Sequence, residues 1–261
     1  MVTATAELLD KVIDIAWEAS KVVLDIYHSD CKYAIKSDGS PLSTADSRSH
    51  DIIFEKLQRL SSSTPIISEE STDLDRIAYQ DAHSFWLVDP LDGTKEFIKR
   101  NGEFTINIAL IEANKPTLGV VLAPVLKTLY AGLNGHGAFK VDTLGRKQSI
   151  RVNDSFEDGV SVVCSRSHAD QKPINAYLIN QKINQTLAVG SSLKFCKIAE
   201  GTAHIYPRLG CTMEWDTAAG HGVLLAAGGV VECLNGTMLS YGKKGFTNPH
   251  FIAKPQSFVL D

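Results

Sequence analysis

The run Trp86-Leu87-Val88-Asp89-Pro90-Leu91-Asp92-Gly93-Thr94 places two carboxylates at the end of an apolar stretch. An apolar strand here delivers Asp89 to its carboxyl end. Pro90 fixes its own φ and has no N–H to satisfy, which predicts a tight turn that brings Asp92 back toward Asp89 and lets the Leu91 carbonyl point the same way. Gly93 permits close approach of the backbone, and Thr94 is placed to begin a helix whose free N–H groups face an anion. Two carboxylates held close together at the end of a buried strand repel unless one is protonated or a cation lies between them. Hard divalent cations with oxygen ligands resolve that repulsion, Mg²⁺ above all where a substrate carries phosphate. Taken alone, the same residues equally suit a turn with an Asp cap, since Asp and Gly are favoured turn residues.

Further carboxylates stand in similar places. Glu69 and Glu70 directly follow Ile66-Ile67-Ser68; Asp216 begins an Ala/Gly-rich apolar stretch after Trp215; Asp46 lies near the start of a helical pattern. A solvated strand end accounts for a bare Glu-Glu pair, and a helix N-cap accounts for either Asp. Each signal is weak by itself.

Elements of both kinds are needed to carry these residues. Leu8, Val12, Ile15, Ala19, Val22 and Ile26 recur at steps of three and four, predicting a helix over residues 5–28. A loop at Lys36–Pro41 leads to a second helix over 44–60, with Ile52, Ile53, Leu57 and Leu60 turned inward. Short strands are expected at 65–68 and 85–88. From residue 104 the period changes to two: 104–111, 117–123, 128–133 and 138–141 read as an antiparallel meander, broken by Asn114-Lys115-Pro116 and Asn134-Gly135. Beyond residue 150 the elements alternate, with strands at 160–164, 186–189, 204–206 and lastly 230–233, and helices at 170–182, 191–200 and 215–227. Helices with an antiparallel sheet come first and an α/β layer follows, an α+β / α/β chain of two subdomains, 1–150 and 151–261, packed as one unit.

Composition narrows the partners. The chain has 261 residues, 44% hydrophobic and 21% charged, with 26 Lys and Arg against 30 Asp and Glu and a formal net charge of −4. That balance supplies no basic footprint for a nucleic-acid polymer, though a local basic pocket for a small anion is compatible with it. No apolar run approaches the ~20 residues that span a bilayer, and the N-terminal residues lack the basic-then-apolar plan of a signal peptide. A cytoplasmic protein is expected, with loose docking on the cytoplasmic face of the inner membrane left open. Cys31, Cys164, Cys196, Cys211 and Cys233 are odd in number and widely spaced, which predicts buried free thiols.

Together, Ile67-Ser68-Glu69-Glu70, Trp86–Thr94 and Glu214-Trp215-Asp216-Thr217-Ala218-Ala219-Gly220 resemble the three-part signature of the Mg²⁺-dependent, lithium-sensitive inositol monophosphatase superfamily. Within it, Asp92–Ile98, Asn101–Thr105, Ser165-Arg166-Ser167-His168 and Gly190-Ser191-Ser192-Leu193-Lys194 resemble the bacterial 3'(2'),5'-bisphosphate nucleotidases, and the likeness runs over nearly the whole chain. The resemblance implies a layered α-β-α-β-α sandwich. It implies that Glu69, Asp89 and the Leu91 carbonyl hold one Mg²⁺ and that Asp89, Asp92 and Asp216 hold a second. Glu70 either assists a third, weakly held ion or stands behind the ligands. The Thr94 hydroxyl, backed by Asp46, would orient and deprotonate the attacking water, and the Gly93 and Thr94 N–H groups would cradle the phosphate.

The implied activity is hydrolysis of adenosine 3',5'-bisphosphate to AMP and phosphate, with the 3'-phosphosulfate analogue as a second substrate. Such a nucleotide has an adenine to hold and a second phosphate to neutralise. Ser165, Arg166, Ser167 and His168 after one strand, Gly190, Ser191 and Lys194 at the start of a helix, and Arg208 are the candidates for that pocket. For Lys194 and Arg208 an ordinary surface position is an equal alternative. An inositol monophosphatase and a catalytically silent nucleotide-binding regulator are the competing functions. Monomer and homodimer are both open.

Overall fold

A computed structural model describes residues 2–29, 34–35, 41–42, 44–72, 82–166 and 171–259. Helix α1 (Ala6–Tyr27) starts where the Thr5 side chain accepts a hydrogen bond from Leu8 N and leads, through the short paired strands β1 (Ala34–Ile35) and β2 (Pro41–Leu42), to α2 (Thr44–Leu60). The central sheet is seven-stranded, in the order β3 (Ile66–Ser68), β4 (Ser84–Asp92), β5 (Thr105–Glu112), β6 (Lys115–Ala123), β7 (Thr128–Leu133), β8 (Gly137–Val141), β9 (Lys147–Ile150). Every pair is antiparallel except β3 with β4. Between β4 and β5 the chain makes the short helix α3 (Thr94–Ile98).

Period-two alternation buries both faces of this sheet. Trp86, Val88, Ile106, Ile108, Leu110, Val120 and Leu129 face α1 and α2, while Phe85, Leu87, Ala109, Ile111, Val121 and Tyr130 face the opposite layer. That layer contains α5 (Leu193–Ala199) and α6 (Trp215–Ala226). Behind it lie strands β10 (Val160–Ser165) and β11 (Ile183–Val189), paired in parallel around α4 (Gln171–Tyr177), and a three-stranded sheet in which β14 (Phe251–Pro255) runs between β12 (Tyr206–Arg208) and β13 (Gly229–Cys233). Residues of α4 close a third apolar cluster on the outer side, with Ile174, Val160, Val162 and Ile252. The result is a five-layer α-β-α-β-α arrangement.

One contact fixes α6 on the sheet. Gly119 of β6 lies so close that an added Cβ would be 2.3 Å from the Ala219 carbonyl oxygen, and one on Gly222 would be 3.1 Å from Gly119 N. The helix thus touches the sheet backbone to backbone, and its first turn carries Asp216.

Several expectations need correction. The chain does not turn after Asp89: β4 continues to Asp92 through a bulge, Asp89 pairing with Asn107 and Asp92 with Thr105. The stripe on α1 drifts, so Val23 and Tyr27 are buried in place of Val22 and Ile26, and on α2 Ile52 and Leu60 are only half-buried. The helix near 191 starts at Leu193, because Ser191 has φ 52°, and the helix expected over 170–182 spans only Gln171–Tyr177. The 204–206 strand lies at Tyr206–Arg208. β13 is not the last strand; β14 follows it as a short, almost continuously apolar run without alternation, the type that periodicity misses. The polar edge strand β9 carries no such signal either. Of the thiols, Cys164 and Cys196 are buried, Cys211 is exposed and Cys233 half-buried. The Lys36–Ser40 loop, Cys31 and most of the 71–82 linker lie outside the described residues.

On α6, His221 is 1% exposed, with Nδ1 2.9 Å from the Tyr241 hydroxyl. Burial, with the Lys243 charge adding to it, pushes its pKa from 6.5 down to about 3. Below the unfolded pKa the unfolded chain takes up a proton that the native ring refuses, so this contribution is complete above pH ~6.5 and falls away as the pH drops toward the folded value. Urea unfolding between pH 7 and 4.5 is expected to show a slope from this ring of up to ~1.4 kcal/mol per pH unit, and His221→Gln is expected to remove that part. Equal slopes in the two proteins would assign the proton uptake elsewhere.

Candidate active site

Four elements bring carboxylates to one place. The Glu69 N–H bonds the Val88 carbonyl at 3.2 Å, extending the β3–β4 ladder by one residue and setting Glu69 beside Asp89. In the bulge, Leu91 N donates to Asp89 Oδ1 at 3.1 Å, and the Pro90 carbonyl accepts from Ser49 Oγ at 2.8 Å. Ser49 and Asp46 share the inner face of α2 at three-residue spacing, so the same contact puts the buried Asp46 next to the bulge, where its charge reaches Asp89. Asp216 arrives on the first turn of α6, and its Oδ2 accepts from Met213 N at 2.8 Å.

Asp92 is anchored by Asn107, which the sequence did not mark, and by Ser192, which stood out there only as part of the Gly190–Lys194 run and not as a site residue. Its Oδ2 accepts from Ser192 N at 2.7 Å and from Asn107 Nδ2 at 3.3 Å. Asn107 also donates to Ser192 Oγ at 3.0 Å, and that hydroxyl donates to the Asp216 carbonyl at 2.7 Å. Asn107 and Ser192 therefore tie two of the carboxylate residues together across the layers. Asn107 pairs directly with Asp89 across the β4–β5 ladder; its one signal in the sequence is that it is a lone Asn between apolar neighbours.

The residues surround a cleft of about 310 Å³. Glu69, Asp89, Leu91, Asp92, Gly93, Thr94 and Asp216 line it together with Ser165, Ser191, Lys194, Tyr206 and Arg208, with Thr212 and Thr217 also in the wall. Gly93 has φ 92° and an added Cβ there would be 2.3 Å from Ser191 Oγ, so only glycine fits where the end of β4 meets Ser191. Asp46, Glu70, Arg166 and Gly190 stand outside the wall. Arg166 places its guanidinium on Glu103, and Ser167 and His168 lie outside the described residues. Lys194 is not a surface cation: it is 7% exposed, and burial pushes its pKa down to about 8 although the Asp92 charge pulls upward. Arg208 donates to the Cys211 carbonyl at 2.9 Å.

Electrostatics expose the central problem. Burial first, and then the charges of Glu69, Asp92, Asp216 and Asp46, push the Asp89 carboxyl well above its usual range. Asp216 is pushed up to about 8 by burial and then by Asp92. Burial also raises Asp92, against the Lys194 charge and the bonds from Ser192 and Asn107. Among the described residues no three His, Cys, Asp or Glu side chains are closed up as a finished metal cage; Asp92 and Asp216 each turn one oxygen onto a backbone N–H. The all-oxygen donor set, crowded and buried, nonetheless fits a hard divalent cation, which removes the mutual repulsion that the protein alone leaves in place.

Comparison with known proteins agrees with this geometry. Residues 5–257 match the model of the inositol monophosphatase family. The 3'(2'),5'-bisphosphate nucleotidase CysQ of Salmonella typhimurium is 47% identical over 247 residues, covering 94% of this chain and 98% of the relative. The protein of the same name from Buchnera aphidicola is 42% identical over 252 residues, covering 95% and 93%. Among solved structures, CysQ from Bacteroides thetaiotaomicron, a bacterial member of the inositol monophosphatase family, superposes with a TM-score of 0.84 at 36% identity, covering 96% of this chain and 97% of that one. The suppressor protein SuhB of Bartonella henselae shares the fold, with a TM-score of 0.79 at 22% identity.

Removing one of the repelling charges is expected to stabilise the metal-free protein. In Asp89→Asn, thermal unfolding with chelator present should shift upward by ~2–4 °C for each kcal/mol of repulsion relieved, and added divalent cation should raise the melting temperature of the wild type but not of the variant. A metal-free melting temperature at or below that of the wild type would show that the carboxylates do not oppose one another.

Proposed function

The chain belongs to the inositol monophosphatase family, and on that premise we propose that it is a metal-dependent 3'(2'),5'-bisphosphate nucleotidase that hydrolyses adenosine 3',5'-bisphosphate to AMP and phosphate, with 3'-phosphoadenylyl sulfate as a second substrate. The observation that carries this reading is that one cleft holds both signs of charge, its wall containing Glu69, Asp89, Asp92 and Asp216 together with Lys194 and Arg208. An inositol monophosphate brings only one phosphate and leaves Lys194 and Arg208 without a second one to neutralise; a bisphosphate nucleotide supplies it. A silent binding module has no use for carboxylates that destabilise the unliganded protein.

Glu69, Asp89 and the Leu91 carbonyl would hold one Mg²⁺, and Asp89, Asp92 and Asp216 a second, with Glu70 placed behind Glu69 for a third or for support. When bound, such ions supply positive charge to the reacting phosphate and lower the pKa of water. The chain's own groups do the rest. The Thr94 hydroxyl, in the cleft wall, orients the attacking water, and Asp46 takes up the proton. The Gly93 and Thr94 N–H groups, at the start of α3, hold phosphate oxygens. Ser165 offers a hydroxyl to the nucleotide and Ser191, whose proton goes to the Asp92 and Glu103 carbonyls, an acceptor, while Lys194 and Arg208 neutralise the second phosphate. Water attacks phosphorus and the ribose oxygen leaves with a proton, so no phosphoenzyme is required. Among the described residues no helix is long and apolar enough to cross a membrane, and we place the reaction in the cytoplasm.

Phosphate release measured with Mg²⁺ should be much faster from adenosine 3',5'-bisphosphate than from inositol 1-phosphate. Lys194→Ala should lower kcat/KM for the bisphosphate by about ten- to a hundredfold, as expected for one charge-assisted phosphate contact, and 3'-AMP should be affected far less. A preference for inositol 1-phosphate, or equal losses on both nucleotides, would overturn the assignment of the second phosphate to Lys194.

A further inference from the structure

Glu103 lies on the link between α3 and β5, and its carboxylate holds residues far along the chain: Oε2 and Oε1 accept a two-pronged bond from Arg166 Nε and Nη2 at 2.7 and 2.8 Å, and Oε2 also accepts from Gly190 N at 2.8 Å.

 Its carbonyl accepts from Ser191 Oγ at 2.7 Å, and Arg166 donates a further bond to the Ala188 carbonyl. These contacts leave no slack. An added Cβ on Gly190 would be 2.7 Å from the Glu103 carbonyl oxygen. Ser191, a residue with a side chain, is held in the left-handed region at φ 52°, a conformation that persists only where the surroundings over-determine it. The next residue, Ser192, is the one that bonds Asp92 through N and the Asp216 carbonyl through Oγ.

We propose that Glu103 and Arg166 form a latch between the α3–β5 link and the ends of β10 and β11, fixing residues 188–192 so that Ser192 orients Asp92, and that both are positioning residues rather than substrate contacts. The kinetic part of this inference rests on the nucleotidase reading; the conformational part does not. Arg166 Nε and Nη2 are already engaged, and the pair is 43% and 22% exposed at its side chains. An ion pair that open to water contributes little to global stability, so the variants are expected to fold while the segment it holds loosens. Arg166→Lys cannot replace it, because one ammonium does not span two carboxylate oxygens and a carbonyl.

The test combines kinetics with hydrogen exchange on Glu103→Ala, Arg166→Ala, the double variant, and the milder Glu103→Gln and Arg166→Lys, which carry the test if the alanine variants do not fold. For a positioning latch, kcat/KM should fall by about tenfold on adenosine 3',5'-bisphosphate and on 3'-AMP alike, and the double variant should be no worse than the more damaged single one. Glu103→Gln, which keeps an acceptor for Gly190 N, should lose less than Glu103→Ala. Amides of residues 190–192 should exchange faster in the variants, with α6 unchanged. The proposal is overturned if Arg166→Ala loses activity on the bisphosphate alone while the Glu103 variants behave as wild type, since Arg166 would then be a phosphate ligand. Additive losses or unchanged exchange at 190–192 would overturn it as well. If the wild type releases phosphate from neither nucleotide, the nucleotidase reading fails, and the exchange data still decide the latch.

Discussion

Asp89 is buried within electrostatic reach of Glu69, Asp92, Asp216 and Asp46, and the surrounding structure exists to hold that unfavourable arrangement. Taking charges out of water costs several kcal/mol per ion unless something opposite in charge is supplied. The chain supplies it only in part: the Lys194 charge acts on Asp92 and the Arg208 charge on Asp216, while at Asp89 burial and four neighbouring carboxylates prevail. What keeps the carboxylates together is apolar packing on both faces of the seven-stranded sheet and the close seat of α6 on Gly119. Stability obtained elsewhere is thus concentrated into one strained cluster whose relief is a cation.

The carboxylates reach the cluster by different routes, and this explains its arrangement. Asp89 and Asp92 come from one strand, separated by the bulge that lets both face the cleft. Glu69 follows from the parallel ladder, and Asp216 from a helix more than a hundred residues later in the chain. Local geometry fixes the first three. The fourth needs a connection between layers, which Ser192 and Asn107 supply by bonding Asp92 and each other, and Ser192 by bonding the Asp216 backbone.

What was legible in the sequence follows the same division. The stripe on α1, the period-two strands of the meander and the apolar run before Asp89 are local patterns, and they appear as elements at the expected places. The carboxylate motifs were also local, each within a few residues of an element end. Asn107 was hidden because it is one polar residue inside an apolar strand, and Ser192 because its partners are far away in sequence. In sequence Arg166 presents a cation free to meet a phosphate, because nothing in its neighbourhood announces Glu103, 63 residues earlier. The bulge at Asp89–Asp92 escaped notice because Pro90 suits a turn as well as it suits an irregular strand.

The two-sided sheet also acts as a partition. In β5, Ile106, Ile108 and Leu110 meet the layer of α1 and α2, while Asn107, Ala109 and Ile111 point the other way, toward the layer of α6 and the cleft. Changes in volume on the first set are absorbed by helices that, apart from the inner face of α2 around Asp46 and Ser49, have no part in the cleft. The α1 face is therefore the place where the protein can be repacked for robustness or drift under mutation without retuning its chemistry, whereas a single methyl group on the other face, at Gly119, is transmitted straight to Asp216.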